Sequence, residues 1–199
     1  MITQIRGHSM STMSINSNGI EVWSNAAGEL HRTDGPAVID TDGTQEWYRN
    51  GKRHRTDGPA VIRPNGHQAW YINGQRHRED GPAVTTSDGS EEWYRNGELH
   101  RTDGPAYIRS DGYQAWYRNG RRHREDGPAV MYLDREQVWW LDNQLHRTDG
   151  PAVTDSNGVQ SWYICSVGIT DQVVAWRAET GYSYPFTAEQ EFEFKLRFA

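Results

Sequence analysis

One eight-residue phrase, repeated at a fixed interval, constrains this chain more than any other feature of its sequence. The phrase HRTDGPAV begins at His31, and close versions of it begin again every 23 residues. Its copies start at His31, His54, His77, His100, His123 and His146. A period of about 20 to 50 residues is typical of arrays in which every repeat forms one small structural unit.

Two kinds of tight turn divide the repeat. Asn-Gly occurs in four of the repeats, as at Asn50-Gly51, and Asp-Gly or Asn-Gly occurs after the phrase, as at Asp42-Gly43. These pairs favour chain reversals because their residues tolerate positive φ angles. Short extended runs, such as PAVI and TQEWY, lie between the turns. The pattern predicts a β-hairpin repeated head to tail.

We therefore predict an all-β fold, an elongated, twisted or rolled antiparallel meander of six to seven hairpin repeats. Residues 19–168 form the repeat array, and residues 1–18 form an N-terminal cap or flexible segment. Residues 169–199 are predicted to be C-terminal capping strands. The closing run EFEFKLRF supports strands there, because its apolar residues alternate with charged ones.

Aromatic residues are expected to supply much of the buried surface, because the chain has 9 Trp but few Leu, Ile and Val. Successive strand residues point to opposite faces, so adjacent aromatics in each repeat form two columns. The first column is Trp47, Trp70, Trp93, Trp116, Trp139 and Trp162. The second is Tyr48, Tyr71, Tyr94, Tyr117, Trp140 and Tyr163. We expect the first to form the core, with rings stacked edge to face across repeats.

The 23-residue period and the pattern WYxNGxxH resemble the MORN (membrane occupation and recognition nexus) family of hairpin repeats over roughly residues 19–168. The resemblance rests on the aromatic pair, the Asn-Gly turn and the following His. A standard MORN repeat continues with Gly-x-Gly, whereas Arg32 and Asp34 precede Gly35 here. The resemblance implies an extended antiparallel sheet with a binding or scaffolding role and no catalysis.

The repeated His and Asp are interpreted as structural, although His titrates near neutrality and could take part in acid–base chemistry. A residue that every hairpin needs serves the hairpin, whereas an active site is usually needed once. Metal binding by the His column is not expected, since copies roughly 9.6 Å apart cannot converge on one ion. The lone Cys165 is expected to be buried and inert. The sequence predicts no catalytic residue, metal site or cofactor.

Charge is distributed unevenly within each repeat. The edge that contains NGxxHRxDG carries most of the Lys and Arg, whereas the edge around the Asp-Gly turns is acidic. Candidate anion-binding residues on the basic edge are Arg53, Arg55, Arg76, Arg78, Arg121, Arg122 and Arg124. One interpretation pairs these arginines with nearby acids. The other makes them a groove for an anionic ligand, nucleotide or nucleic acid, although the formal net charge of −6 is unusual for such a protein.

The residue before each Trp adds a second asymmetry. Glu46 and Glu92 alternate with Ala69 and Ala115, which indicates a super-period of 46 residues. If the strand assignment holds, these residues share a face with the Tyr48 column, as acidic tips separated by small apolar gaps. Exposed aromatics and Arg dominate many interfaces. We expect a non-enzymatic protein-binding scaffold or inhibitor that acts through this face of the sheet and through the charged edges. An enzyme with its site in residues 169–199 is the third hypothesis, without a recognisable constellation.

Cellular location and assembly follow from simpler features. The single cysteine excludes an intramolecular disulfide and fits a reducing compartment, and the first residues lack an apolar run. No stretch approaches the ~20 apolar residues of a membrane span. We expect a cytoplasmic protein without membrane insertion. The open array leaves free edge strands, so a homodimer is among the expected assemblies.

Overall fold

The computed structural model describes residues 11–199. The part of the predicted N-terminal segment that precedes residue 11 lies outside the described residues. The part that is described contains a strand, Thr12–Ile15, which pairs antiparallel with Glu21–Ser24. The N-terminal segment therefore includes a strand of the sheet.

The predicted antiparallel meander is confirmed. A sheet of 14 strands follows the chain in order, and each strand is hydrogen-bonded to its neighbours in that order. Its strands are β1 (Thr12–Ile15), β2 (Glu21–Ser24), β3 (Val38–Ile39), β4 (Gln45–Glu46), β7 (Val61–Ile62), β8 (Gln68–Ala69), β11 (Val84–Thr85), β12 (Glu91–Glu92), β15 (Tyr107–Ile108), β16 (Gln114–Ala115), β19 (Val130–Met131), β20 (Gln137–Val138), β23 (Val153–Thr154) and β24 (Gln160–Ser161).

Each repeat also contributes a smaller two-stranded hairpin outside that sheet. These hairpins pair β5 (Tyr48–Arg49) with β6 (Lys52–Arg53), β9 (Tyr71–Ile72) with β10 (Gln75–Arg76), β13 (Tyr94–Arg95) with β14 (Glu98–Leu99), β17 (Tyr117–Arg118) with β18 (Arg121–Arg122), β21 (Trp140–Leu141) with β22 (Gln144–Leu145), and β25 (Tyr163–Ile164) with β26 (Val167–Gly168). The Trp residue between the two strand pairs belongs to neither of them. One repeat is therefore a hairpin divided in two at its Trp.

The turn chemistry explains why these hairpins form. At the tip of β5–β6, Asn50 has φ 47° and Gly51 has φ 73°. Two consecutive positive φ angles fit a two-residue hairpin turn, whose twist matches that of the strands beside it. The other turn is closed by the Asp side chain, because Asp42 Oδ1 accepts a hydrogen bond from the Thr44 N–H at 2.7 Å. The Asn-Gly and Asp-Gly predictions are confirmed.

The chain divides into two compact units, Met1–Glu98 and Leu99–Ala199. In the first unit, the described core includes a cluster of Val61, Ala69 and Val84. In the second unit, Ala115, Val130 and Val138 form an equivalent cluster within the sheet.

The innermost position of each repeat is the alanine of the phrase rather than the tryptophan. These alanines have no exposed surface: Ala37, Ala60, Ala83, Ala106, Ala129 and Ala152. Trp47 is only half-buried, and of the Trp column Trp162 alone is buried. The prediction that this column forms the core was therefore wrong. The Trp47 N–H donates to Ala60 O at 2.8 Å, so backbone pairing packs the small residue inside.

The C-terminal segment is helical, so the prediction of capping strands over residues 169–199 was wrong. Helix α1 spans Thr170–Thr180, and helix α2 spans Ala188–Phe198. Thr187 caps α2, because its side chain accepts from the Gln190 N–H while the Gln190 side chain accepts from the Thr187 N–H. This reciprocal capping box satisfies two N–H groups that a helix start leaves unpaired. Within residues 11–199, no helix is long and apolar enough to cross a membrane.

These helices close the end of the second unit. Trp162, Val173, Trp176 and Phe194 belong to one buried cluster, in which Trp162 is 2% exposed. The alternating apolar residues of α2 therefore divide between two faces. Phe194 is buried, whereas Phe192 is 63% exposed.

Candidate binding surface

The repeated histidine joins each repeat to the next. In the first unit, His54 Nδ1 accepts a hydrogen bond from the Asn73 N–H at 3.2 Å, and it lies 2.9 Å from the Asn73 side chain. Asn73 opens the next Asn-Gly turn. The same contact occurs at His77 with Asn96 and, in the second unit, at His100 with Asn119. The repeated histidine thus holds the following turn in place, which supports its structural interpretation.

The arginine of the phrase lies over the Trp of its own hairpin. The Arg55 guanidinium carbon is 4.0 Å from the centre of the Trp47 ring. Arg55 Nε donates to Asp57 at 3.0 Å, and Nη1 donates to the Pro59 carbonyl at 3.2 Å. A Cβ at Gly58 would lie 2.9 Å from that guanidinium, so a larger residue there would have to displace the Arg55 head group from its position over Trp47. Trp47 therefore stacks on a cation, and the predicted edge-to-face stacking between Trp rings does not occur there.

The tyrosine column of the first unit packs against valines of the sheet. Tyr71 and Tyr94 pack against the cluster of Val61, Ala69 and Val84. The rings are half-buried, so part of each remains open to a partner.

Acidic residues of the first unit fix these rings. The Tyr48 hydroxyl donates to Glu46 at 2.7 Å, and Arg53 donates to the same carboxylate through Nη2 at 3.0 Å. Burial of the Tyr48 ring, followed by its contact with Glu46, raises the pKa of that phenol. Arg76 donates to Glu92 at 3.3 Å and to the Tyr94 hydroxyl at 3.0 Å. The surface is therefore an ordered network of aromatic rings and charged groups.

The alternation of Glu and Ala before the Trp has a different structural meaning from the expected one. The side chains of Glu46 and Glu92 are only 16% and 22% exposed, because arginines hold them against the sheet. Ala69 is 2% exposed, and Ala115 has no exposed surface. The expectation of acidic tips separated by open apolar gaps was wrong, because the neighbouring tyrosines cover both alanines.

More aromatic residues pack around the tyrosine column in the second unit than in the first. Tyr117 and Trp140 pack against the cluster that contains Ala115. Tyr163, the last member, is half-buried and lies beside Gly168, its cross-strand partner.

Two further tyrosines of the second unit, which sequence reasoning did not identify as site residues, extend this surface. Tyr113 stacks edge to face on Tyr132, with ring centres 5.1 Å apart. A cleft of about 490 Å³ is lined by Arg109, Asp111, Tyr113, Tyr132, Leu133 and Asp134. The signal in the sequence was Tyr113 itself, which occupies the position of Thr44 in the first complete repeat.

The candidate anion-binding arginines are mostly paired with acids of the protein itself. Those in ion pairs are Arg53, Arg55, Arg76, Arg78 and Arg124. Arg121 is exposed, and Arg122 is half-buried against the Trp140 ring, 5.3 Å from its centre. The basic edge is therefore largely neutralised, as the first of the two interpretations of the sequence requires.

Cys165 is exposed, so the expectation of a buried cysteine was wrong. It occupies the position that Asn73 has in its repeat, with φ 48°. Its N–H donates to His146 Nδ1 at 3.2 Å, and its Sγ lies 3.5 Å from the same nitrogen. The spacing of 19 residues from the repeated His could have revealed this pair.

Among residues 11–199, no group of three or more His, Cys, Asp and Glu side chains is arranged to hold a metal ion. Comparison with known proteins gave no matching family model and no matching curated protein.

Proposed function

We propose that this protein is a non-enzymatic binding scaffold or inhibitor whose tyrosine column contacts a protein partner. The observation that carries the proposal is the ordered aromatic surface in each unit. In the first unit, Tyr48 is held by Glu46 and Arg53, and Arg76 bridges to Tyr94. A surface that is already ordered loses little side-chain entropy on binding, so more of its contact energy appears as affinity.

The residue types also favour a protein partner. Tyrosine, tryptophan and arginine account for much of the binding energy at protein interfaces, because they combine a large apolar area with a polar group. The first unit has half-buried Tyr71 and Arg76 on this surface. The second unit has half-buried Tyr117, Trp140 and Arg122.

The alternative, a sequestering module for an anionic ligand or nucleic acid, has weaker support. Polyanion binding depends on arginines whose charge is free to replace counterions. Arg55, Arg78 and Arg124 instead donate to Asp57, Asp80 and Asp126. The formal net charge of −6 also opposes a polyanion.

We also propose a MORN-like kinship and a cytoplasmic location for this protein. A MORN-like origin is supported by the 23-residue period and by hairpins with Asn-Gly tips. A cytoplasmic location is supported by the single, exposed cysteine, which a reducing compartment would keep as a thiol.

The test is affinity capture of partners by the tagged full chain and by two variants, Tyr71→Ala and Tyr117→Ala. The control variant is Phe192→Ala, which removes an exposed aromatic ring of α2 outside the tyrosine column. Thermal melting checks that each variant stays folded. The proposal expects a stoichiometric partner that binds the wild type and the control, survives moderate salt and is lost from both tyrosine variants.

Two results would count against it. A captured species that absorbs strongly at 260 nm and dissociates in high salt would favour the anionic alternative. A partner that binds all three variants equally would place the binding surface elsewhere in the protein.

A further inference from the structure

Arg122 differs from its counterparts in the first unit because no carboxylate among the described residues pairs with it. Arg53 is paired with Glu46 of its own repeat, and Arg76 is paired with Glu92 of the next repeat. The positions equivalent to those two acids are, for Arg122, Ala115 and Val138. Among the ion pairs of residues 11–199, none includes Arg122, although Arg53 and Arg76 each have one. The positive charge of Arg122 therefore has no carboxylate beside it in the described part of the chain.

The surroundings of Arg122 are aromatic. Its cross-strand partner is Tyr117, and its guanidinium carbon lies 5.3 Å from the centre of the Trp140 ring. Burial by itself would lower the pKa of Arg122, but the hydrogen bond with Tyr117 and the phenols of Tyr113 and Tyr132 place it above its ordinary value. The Arg122 Nε donor is buried and has no acceptor among residues 11–199, whereas Arg53 Nε donates to Glu46 at 3.2 Å.

The first unit shows which chemical group an arginine at this position binds. At Arg53, both carboxylate oxygens of Glu46 lie 3.0 Å from Nη2. An arginine fork matches the two oxygens of a carboxylate, and the pair is stronger where neighbouring rings limit access of water. A carboxylate from outside the chain would give Arg122 the acceptors that Glu46 gives Arg53.

A cleft with aromatic and aliphatic walls lies near this arginine. Tyr113 packs against the same cluster as Tyr117 and Trp140, the neighbours of Arg122. It lines the cleft of about 490 Å³ with Tyr132 and with Leu133, which is 78% exposed, and charged residues complete the lining: Arg109, Asp111 and Asp134. The cleft has the size to take one apolar side chain beside the carboxylate.

We propose that Arg122 binds the carboxylate of an acidic side chain of the protein partner, and that the cleft of Tyr113, Tyr132 and Leu133 binds an adjoining apolar side chain. The partner segment recognised by the second unit is thus an acidic residue next to an apolar one. This inference rests on the proposed protein-binding function and specifies which partner chemistry the second unit selects.

The test follows the Nε–Hε resonances of the arginines by NMR while the full chain is titrated with N-acetyl-glutamate amide. The expected result is a saturable shift at Arg122 and none at Arg53 or Arg76, whose sites Glu46 and Glu92 already occupy. N-acetyl-glutamine amide, which has the same length without the charge, should bind at least about tenfold more weakly, as expected for loss of a charged hydrogen-bond partner. Arg122→Gln assigns the resonance.

A second variant makes the test reciprocal. Glu46→Gln removes the internal carboxylate from Arg53, so Arg53 should then respond to the same probe. No saturable shift at Arg122, or equal shifts at the three arginines of the wild type, would overturn the carboxylate site. Binding of inorganic phosphate without binding of the glutamate probe would assign a different anion and would also overturn it.

The apolar half of the proposal has its own measurement. Acetyl-Glu-Leu-amide should bind about tenfold more tightly than acetyl-Glu-Gly-amide, since one aliphatic side chain leaves water. Tyr132→Ala should remove that difference. Equal affinities of the two peptides for the wild type would overturn the role of the cleft.

Failure of this inference and failure of the proposed function give different results. If capture of a partner depends on Tyr71 and Tyr117 while the Arg122 resonance does not respond to the probe, the proposed function is supported and the carboxylate site at Arg122 is wrong. If Arg122 binds the probe but capture of a partner does not depend on Tyr71 or Tyr117, the carboxylate site is supported and the proposed function is wrong.

Discussion

The Nδ1 atom of His54 accepts a hydrogen bond from the backbone N–H of Asn73, 19 residues further along the chain, at 3.2 Å. The acceptor comes from the end of one hairpin, and the donor comes from the tip of the next. The same spacing of 19 residues recurs in the contacts of His77 with Asn96 and of His100 with Asn119. The fixed interval between the repeated His and the next turn therefore accompanies one repeated contact.

His54→Ala is expected to destabilise the fold by roughly 1–2 kcal/mol, because the Asn73 N–H loses its acceptor. Thermal or urea unfolding of the purified protein measures the change. The matched control is His67→Ala, a half-buried histidine outside the repeated phrase. If both variants lose the same stability, the contact with Asn73 is not the cause.

Arg55→Lys is expected to destabilise the protein by about 1–2 kcal/mol, although the charge is kept. Lysine has no planar fork, so it cannot stack on Trp47 and also donate to both Asp57 and the Pro59 carbonyl. Arg63→Lys, at an exposed arginine, is the control in the same unfolding experiment. Equal stability of the two variants would show that only the charge of Arg55 matters.

Stability is expected to fall in acid through the aspartates of the phrase. Hydrogen bonds from Arg55, Arg78, Arg101 and Arg124 hold the pKa values of Asp57, Asp80, Asp103 and Asp126 below 3.8. Unfolding returns them towards that ordinary value. Their contribution is therefore fully present above it and is lost as the pH falls below it through the folded-state pKa.

Urea unfolding measured across this pH range checks the prediction. Replacing Asp57, Asp80, Asp103 and Asp126 together by Asn should weaken the acid dependence, while the dependence near neutral pH stays as in the wild type. A stability that already declines between about pH 7 and pH 5 would have to come from other groups.

Arg135→Gly is expected to stabilise the protein by about 1 kcal/mol. Arg135 has φ 72°, whereas the equivalent positions hold glycines such as Gly43 and Gly66, both at φ 88°. Glycine adopts this conformation without the steric cost that a Cβ brings. Glu136→Gly, one residue later and outside the positive-φ region, should instead destabilise. Denaturant midpoints of the two variants distinguish the expected opposite signs.

Cys165→Asn is expected to stabilise the last repeat by roughly 0.5–1 kcal/mol, because Asn tolerates the φ of 48° and restores the usual partner of the repeated His. Cys165→Ala, which offers no such group to His146, should not stabilise. In the folded wild type, a thiol reagent should modify Cys165 at once, since the residue is exposed. Protection until unfolding would contradict the exposed position.

Residues whose role is local could be placed from the sequence. Asn50-Gly51 and Asp42-Gly43 predicted turns correctly, because positive φ angles depend on the residue itself. The 23-residue period also identified which tyrosines form one column. The alternation of Phe192, Phe194 and Leu196 predicted a strand where the structure has helix α2. The spacing of Thr187 and Gln190, which is that of a capping box, is the sequence signal for the helix.

The candidate site could be predicted only in part. The tyrosine column was identified by its period, and the pairing of Arg53 with an acid was one of two open interpretations. The cleft of Tyr113 and Tyr132 was missed, because the two rings belong to successive repeats and meet only when strands pair.

The sequence by itself determined that one hairpin is rebuilt at every 23 residues, because its turns and alternating strands are set by neighbours along the chain. Only the tertiary structure decided that alanine occupies the centre of each repeat, that arginine covers Trp47, and that Arg122 Nε is buried without an acceptor among the described residues. Those outcomes depend on which groups from different hairpins come within a few ångströms of each other. The sequence period does not give these distances, so it could not predict which groups pair with each charged side chain.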